Sequence, residues 1–582
     1  MRLGSSAAMA SLQTLDVTSL KAVLAEWRPL LLPSRLEKAQ QADPCTIQLA
    51  LRHLQGVQWL ALSWQAEAAR VHAIDPPPRQ GAGSTLAQQL QHGLGGLALV
   101  EIHQPGWERV VELGFARRPG EPPRRWLVAE LMGRHSNLLL LEPDGRGGRQ
   151  VVALGRQVRG RQSRLRPIAT GDPYQAPPPL AGDPPDRQTS MARWQQQVAL
   201  LPLPLEQALR AAYQGISPAL ARQLAPGPWL RQPVGDLEPR QWESLWQRWQ
   251  AWLEAVESER FGWRREGDGY RCWCLREEVG APGPAVASRD GESAGPSPMP
   301  INTALARYYG NWLASQAFQR QQHQLQQQLQ RLLERETGQA SAQQALLDAV
   351  PESEALQRQA DALLSQRQPS RACIAAAQKL YQQARKRRRS VASISARLEH
   401  HRHRLAWLEA SLTFLEQAGS LEELAALGQD LDDHLHPPGG PGAAARRSPP
   451  SGRSGEPRPL ELRSPNGLCL QVGRNHRQNE WVVFRQARRG DLWFHAQELP
   501  GSHVVLRSSE QVAEEADLQA AADLAAHFSR GRGNRRVPVV MAPTDQLQRI
   551  PGAAPGTVRH RSAEVMWGNP ERALTLLAAQ QP

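Results

Sequence analysis

The spacing of apolar positions divides the chain into stretches of different period, and the longest is helical. Between Asn302 and Gln417, Phe318, Leu325, Leu329 and Leu332 step by seven, four and three. Further on, Val391, Ile394, Leu398, His401, Leu405, Leu408, Leu412 and Leu415 alternate three and four, and His401 alone is not aliphatic. That is the period of a coiled-coil seam. Pro351 and Pro369, with Gly338, argue against one continuous helix. The pattern therefore predicts an antiparallel hairpin with a small helical tip, and arms of about 40 residues would reach roughly 60 Å.

Upstream, a helix is expected from Asp16, with Leu20, Val23, Leu24 and Trp27 on one face and Pro29 and Pro33 closing it. Strand-like segments follow at Thr46 to Leu51, Leu97 to His103, Glu108 to Phe115, Trp126 to Leu131, Asn137 to Leu141 and Val151 to Val158, with turns at Pro105-Gly106, Pro119-Gly120 and Asp144-Gly145. A leading helix and a meander read as α+β. Met191 to Leu253 is helical, with Leu205, Leu209, Leu220, Leu224, Trp242, Leu245 and Trp249 as apolar spacers, and Gly215 precedes a Ser217-Pro218 helix start. Phe261 to Val286 reads as a small β region and Gly291 to Pro300 as linker. His434 to Arg463 is Pro-, Gly- and Arg-rich, cannot bury a core, and reads as a tether. Near the C-terminus, Trp493, Phe494 and Val504 to Leu506 flank Pro500-Gly501, which predicts strand, turn, strand.

Charge narrows the partners. The formal net charge is +13, which favours a polyanion, nucleic acid first and an acidic membrane surface second. Lys21, Lys38, Lys379 and Lys386 are the only lysines, so the excess is arginine, although the abundance of Ala, Gly and Pro points to codon bias as its main source. Between Arg146 and Arg166, Arg149, Arg156, Arg159, Arg161 and Arg164 meet no acid, a run that suits phosphate as well as a solvated face. Arg385, Lys386, Arg387 and Arg388 form a second basic cluster, on the returning helical arm. The cysteines are five and scattered, with neither disulfide nor zinc spacing, so a reducing cytosol is expected. Residues 1–20 lack an apolar leader and no run of eighteen apolar residues occurs, so no membrane is expected.

The strand-turn-strand stretch places Asp491, His495 and His503 close to one turn. Three chemistries use such a group: a metal site, a general base, or a polar surface for phosphate and ribose. Metal is disfavoured because no HExxH or CxxC spacing accompanies the histidines. The structural alternative is that these side chains satisfy the turn backbone and one another. Three segments bear on the choice: Val472-Gly473-Arg474-Asn475 with Asn479-Glu480, then Asp491-Leu492-Trp493-Phe494-His495 with Pro500-Gly501-Ser502-His503, then Ala521-Ala522 to Phe528-Ser529. In this order they resemble the NFACT-R domain of the NEMF/RqcH family of ribosome quality-control factors, whose bacterial members are often labelled fibronectin-binding proteins. Glu130-Leu131-Met132-Gly133-Arg134-His135-Ser136-Asn137 resembles the signature of that family's NFACT-N domain. The Gly215-Ser217-Pro218 segment resembles its helix-hairpin-helix. Glu108-Arg109 stands where the family has an Asp-Arg pair needed for tRNA engagement and tail synthesis, so the role carries over to Arg109 more directly than to Glu108.

The resemblance implies a multidomain α+β protein. An NFACT-N mixed α+β domain is expected at 15–179, a helix-hairpin-helix segment at 190–256, a small β region and linker at 257–300, a long antiparallel coiled-coil hairpin at 301–420, a flexible linker at 434–463 and a small α+β NFACT-R domain at 464–575. It also implies a cytoplasmic factor that binds the large ribosomal subunit, through rRNA and ribosomal proteins, with its stalled peptidyl-tRNA. The factor would recruit alanyl-tRNA for template-free alanine tailing. Implied tRNA contacts are Glu108, Arg109, Arg134, His135, Asn137, Arg156, Arg159 and Arg161. Implied ribosome and RNA contacts are Arg385, Lys386, Arg387, Arg388, Arg474, Asn475, Asp491, Trp493, His495 and His503. No catalytic residue, metal or cofactor is expected, and no P-loop or Rossmann fingerprint occurs. Two alternatives stay open, a nucleic-acid-processing protein of the formamidopyrimidine-glycosylase-like class, which needs an N-terminal Pro-Glu where this chain has Met1-Arg2-Leu3, and a fibronectin-binding adhesin.

Overall fold

The structure, a computed structural model, describes residues 12–163, 166–274, 299–349, 352–436, 456–550 and 555–580. Met1 to Leu3, Arg164, most of the Gly291 to Pro300 linker, Pro351, residues 437–455 of the tether and the later part of the Phe261 to Val286 region lie outside them. The chain forms two compact units, Met1–Leu313 and Ala314–Pro582.

The first unit opens on α1 (Val17–Leu31), capped by the Asp16 carboxylate, which accepts the Ser19 N–H at 2.9 Å. The helix runs through Pro29 rather than closing there, because a proline in the last turn costs only one bond. Nine strands follow: β1 (Ser34–Asp43), β2 (Thr46–His53), β3 (Gly56–Ser63), β4 (Arg70–Ile74), then α2 (Thr85–Leu94), β5 (Ala98–His103), β6 (Val110–Ala116), β7 (Arg125–Glu130), β8 (Asn137–Pro143) and β9 (Arg149–Leu154). They form one antiparallel sheet in the order β4-β3-β2-β1-β5-β6-β7-β8-β9, two meanders joined where β1 meets β5. Ile47, Leu49 and Leu51 alternate inward from β2 and pack with Leu20, Leu24 and Trp27 of α1.

Five helices continue the unit: α3 (Met191–Val198), α4 (Leu205–Ala212), α5 (Pro218–Leu224), α6 (Gly227–Leu230) and α7 (Pro239–Glu257). They close on tryptophans, with Trp194 and Trp249 at 5.6 Å and Trp249 and Trp252 at 5.0 Å between ring centres. A hairpin of β10 (Arg264–Glu266) and β11 (Gly269–Arg271) then precedes α8 (Ile301–Asp348). The first turn of α8 is fixed in this unit by Asn302, whose Oδ1 accepts the Trp27 indole N–H at 2.9 Å.

In the second unit α8 runs antiparallel to α10 (Arg371–Gln417), and α9 (Glu352–Leu364) packs along α10 at the tip. Gly338 sits inside α8 without interrupting it, since a single glycine costs a helix only about 1 kcal/mol. Leu325 and Leu329 pack on Trp407 and Leu408. Ile394, Leu398, Leu408 and Leu415 of the expected seam are buried. Its odd member, His401, contacts the buried Glu336 carboxylate on the opposite arm at 2.8 Å.

After α11 (Leu421–Leu435) come β12 (Leu460–Arg463), β13 (Cys469–Val472), α12 (His476–Trp481) with a π-helical turn over Val482–Gln486, β14 (Leu492–Ala496), β15 (Val504–Leu506), α13 (Glu515–His527), β16 (Val537–Pro543), β17 (Leu547–Arg549), β18 (Val558–His560), β19 (Glu564–Gly568) and α14 (Pro570–Ala579). The sheet is antiparallel in the order β12-β13-β15-β14-β16-β19. One face packs on α13 and α14 through Phe494, Val504 and Leu524, and the other places Trp493, Val505 and Val540 under Val482 and Val483. The protein is thus multidomain α+β, with an antiparallel-sheet domain, a long helical hairpin and a small C-terminal α+β domain.

Candidate nucleic-acid interface

In the first unit, strand register brings distant segments to one end of the sheet. Val110 faces Glu130 and Glu130 faces Asn137. The Leu131 N–H donates to the Arg109 carbonyl at 2.9 Å, and the Gly155 N–H donates to the Leu138 carbonyl at 2.7 Å. Glu108-Arg109, the β7–β8 turn and Arg156 therefore emerge side by side. The turn is a 3-10 coil, Gly133–His135, entered through Gly133 at φ 57°, where a side chain would be strained. Ser136 Oγ accepts the Met132 N–H at 2.8 Å and closes it.

Asn137 lies inward. Its Oδ1 accepts the N–H groups of Arg156 at 2.9 Å and Leu138 at 3.0 Å, and its Nδ2 donates to the Arg156 carbonyl at 2.8 Å. It clamps the exit of β9 beside the turn, with both amide atoms bonded to the backbone. Arg134, His135, Arg156, Arg159 and Arg161 are exposed, and Arg134 Nε donates to His135 Nε2 at 3.1 Å. Among the described residues no carboxylate pairs with Arg156, Arg159 or Arg161.

The arginine run is divided between two tasks. Arg166 holds the buried Glu130 through two bonds of 2.7 and 2.6 Å, and Tyr174 donates its hydroxyl to the same carboxylate at 3.1 Å. Burial and that carboxylate push the Tyr174 phenol well above its ordinary value. Arg149 holds Glu112 at 3.0 and 3.1 Å and lies over Trp126. These two arginines belong to the frame, whereas Arg156, Arg159 and Arg161 face solvent.

Glu108 is half-buried, and its Oε1 accepts the Leu180 N–H at 3.1 Å. Burial raises its pKa, against the lowering effects of that bond and of Arg109. The preceding Trp107 packs under Gly215, where the φ of 75° would strain a side chain and a Cβ would sit 3.2 Å from the indole. Lys21 stands 5.0 Å over the same indole, its pKa lowered by burial and by Arg28. Ser217 caps α5 by accepting the Leu220 N–H at 2.9 Å and donates its hydroxyl to Asp16 at 2.8 Å, so the start of α5 is tied to the cap of α1.

In the second unit the tip cluster is likewise divided. Arg385 and Lys386 are exposed. Arg387 pairs with Glu352 at 2.7 Å and Arg388 donates to Gln357 at 2.6 Å, which locks α9 against α10.

The C-terminal candidates turn inward to a degree their spacing did not show. Asp491 is fully buried at the far end of β14 from the Pro500-Gly501 turn. It accepts the N–H groups of Arg488 at 2.7 Å and Ser509 at 3.0 Å, with Arg507 3.7 Å away, so it is separated from the histidines. Asn475 caps α12 through Gln478. Arg474 is half-buried, donates to the Gln417 carbonyl at 2.7 Å, pairs with Glu423 and lies over Phe528, which fixes the sheet to the helical arms. Trp493 is covered, with His495 stacked on it at 5.7 Å and His503 edge-on at 5.4 Å. Burial lowers His495 to about 4 and His503 well below its ordinary value, so both rings are neutral at pH 7. Among the described residues no group of three or more His, Cys, Asp or Glu is placed to hold a metal ion.

One feature escaped the sequence reading. The loop Arg530-Gly531-Arg532-Gly533-Asn534-Arg535-Arg536 carries four arginines and no acid. Its base is bound to the Pro500-Gly501 turn, with Arg530 N–H on the Pro500 carbonyl and Ser502 N–H on the Phe528 carbonyl, both at 2.8 Å. Arg530 reaches Glu409 at 3.6 Å, while Arg532, Arg535 and Arg536 are exposed. The signal was available, because the run directly follows the Phe528-Ser529 motif.

Residues 16–372 and 368–436 match the NFACT N-terminal and middle domains, and residues 460–561 match the NFACT protein RNA binding domain. The chain is 24% identical over 583 aligned positions to the Rqc2 homolog RqcH of Streptococcus pneumoniae serotype 2, covering 94% of this chain and 96% of the relative. It is 40% identical over 108 residues to the Rqc2 homolog RqcH of Bacillus subtilis, 19% of either chain. The C-terminal part of the fibronectin/fibrinogen-binding protein of Streptococcus suis is 24% identical and covers 44% of this chain and 98% of its own, with a TM-score of 0.38, too loose a likeness to bear on function. Among the described residues no helix is long and apolar enough to cross a membrane. The chain belongs to the NFACT family, as a homolog of the RqcH proteins with an RNA-binding domain.

Proposed function

We propose that this protein is a cytoplasmic ribosome quality-control factor. It binds a stalled large ribosomal subunit that still holds peptidyl-tRNA and recruits alanyl-tRNA, so that the nascent chain gains a C-terminal alanine tail without messenger or small subunit. The observation that carries the reading is the run of unpaired, exposed cations at one end of the first sheet, in a chain that aligns over 94% of its length with an Rqc2 homolog RqcH.

Arg109, Arg134, His135, Arg156, Arg159 and Arg161 are assigned to the tRNA backbone, where cations release counterions and set affinity. Glu108 and Asn137 position them. Arg385 and Lys386 meet ribosomal RNA, and Arg387 and Arg388 hold the tip. In the C-terminal domain Arg474, Asn475, Asp491, Trp493, His495 and His503 form the frame, and the Arg530 to Arg536 loop supplies its exposed cations. Peptide-bond chemistry stays with ribosomal RNA, so the protein serves as a binding factor and needs no nucleophile.

The test is a stalling reporter expressed in cells that lack the gene, complemented with wild type or Arg109→Ala. Mass spectrometry of the reporter is expected to find alanine tails with the wild type and none with Arg109→Ala. Tails of normal length in the uncomplemented cells would end the reading.

A further inference from the structure

The sheet face that carries Trp493 and His495 extends past its cover. Residues opposite one another on antiparallel strands share a face. His495 faces Val540 and Val540 faces Val565, which makes one row, and Pro538 facing Trp567 makes the next. Val482, Val483 and Leu547 cover this face over Trp493, Val505 and Ala542. Over β19 the cover ends, and Val565 is 54% exposed and Trp567 57% exposed on the edge strand. An indole left in water beside another open apolar side chain is a surface awaiting contact.

Charge identifies the occupant. Trp567 faces Pro538 and Gly568 faces Val537, so Arg535 and Arg536 immediately precede the strand that Trp567 pairs with, and Arg532 lies in the turn just before them. Among the described residues none of the three pairs with a carboxylate. A second copy of a chain at +13 is a poor match for such an edge, and a polyanion is a good one. An aromatic platform flanked by free guanidinium groups is the chemistry that binds a single strand, with bases stacked on the ring and phosphates on the arginines.

We propose that Trp567 and Val565, with Arg535 and Arg536, form a stacking platform for single-stranded RNA. A base lies on the Trp567 indole and the flanking phosphates lie on Arg535 and Arg536. The platform reaches past residue 561, where the matched RNA-binding domain ends. The inference rests on the RNA-binding part of the proposed function and is independent of alanine tailing.

The test uses the full-length protein and a fluorescein-labelled single-stranded RNA of about twelve nucleotides, a length that spans such a site. Anisotropy is read across a salt series. Trp567→Ala is expected to weaken binding at least about fivefold with the salt slope unchanged, and Trp567→Phe to recover most of the loss. Replacing Arg535 and Arg536 with alanine is expected to lower the salt slope by about one to two. Wild-type affinity in Trp567→Ala overturns the proposal. So does sedimentation in which Trp567→Ala abolishes self-association while RNA binding is unchanged, since the edge would then be an interface between copies. Arg109→Ala in the same assay separates the two readings: a failure of alanine tailing leaves the oligonucleotide result standing, and the reverse also holds.

Discussion

The Glu108 carboxylate accepts the backbone N–H of Leu180 at 3.1 Å instead of closing an ion pair on its neighbour Arg109. Among the described residues the Arg109 guanidinium has no hydrogen bond or ion pair. A glutamate has one more methylene than an aspartate, and that reach is spent on the backbone that leaves the sheet domain. On the proposed function, Glu108 acts by position and Arg109 by charge. Glu108→Gln keeps an acceptor for Leu180 and is expected to retain tailing within about threefold, while Arg109→Ala abolishes it, with both thermal midpoints within about 1 °C of wild type, as expected away from the core. A stable Glu108→Gln protein as inactive as Arg109→Ala would show that the carboxylate charge itself is required.

The arginines between 146 and 166 are expected to separate in two assays. Arg166→Ala strands the buried Glu130 carboxylate, and removing one partner of a buried pair costs about 3–5 kcal/mol. Denaturant unfolding should register that loss. Arg156→Ala, exposed and unpaired, is expected to leave stability within about 0.5 kcal/mol. It should instead lower the slope of log affinity for tRNA against log salt by about one. Equal stabilities for the two variants would contradict the division.

Acidification is expected to weaken the C-terminal unit. His476 is buried against Trp407 at 4.5 Å and contacts Ser411 Oγ through Nε2 at 2.9 Å, and burial lowers it to about 3. His495 is lowered to about 4. The unfolded chain takes up these protons near pH 6.5 and the folded chain does not, so stability is full above about pH 6.5 and falls as pH drops toward the folded values, by about 1.4 kcal/mol per pH unit for each histidine. Asp430, pushed up to about 6 by burial, works in the opposite direction below that pH and offsets one of them. Thermal midpoints measured from pH 7.5 to 4.5 should decline, and His476→Gln should flatten the decline. A midpoint independent of pH would refute the neutral burial of these rings.

Gly473, in the Val472-Gly473-Arg474-Asn475 motif, is required for space rather than for an unusual backbone angle. A Cβ there would meet Asn479 N at 2.7 Å and Asn479 Cα at 2.9 Å, which are backbone atoms that cannot swing away. Gly473→Ala is expected to destabilise the C-terminal domain by about 1–3 kcal/mol, read by chemical denaturation. An unchanged midpoint would show that the start of α12 yields more readily than its capping by Asn475 suggests.

The elements with a strong period were legible before the fold was known. The three-four alternation from Val391 to Leu415 became the α10 seam, and its break at His401 proved to be a contact with Glu336 on the opposite arm. The strand-turn-strand around Pro500-Gly501 also held, as β14 and β15. Strand β1 went unseen because its sequence is mostly polar, with Glu37, Lys38, Gln40 and Gln41 in the middle. Strands β3 and β4 were missed with it. Motif residues were found but their direction was not. Asn137, Asp491 and Arg474 occur in the expected segments, yet each spends its polar atoms on the frame, and nothing in linear spacing separates an Asp that holds a turn from one that meets a ligand. The Arg530 to Arg536 loop went unread because its significance depends on the Pro500 turn it is bound to, about thirty residues away in the chain.

The most direct test of the ribosomal role is to recover a tagged copy of the protein from its own cells and sequence the RNA bound to it. Large-subunit ribosomal RNA enriched together with one dominant tRNA, that for alanine, is the predicted result. Recovery of DNA, or of no nucleic acid above an untagged control, would contradict it.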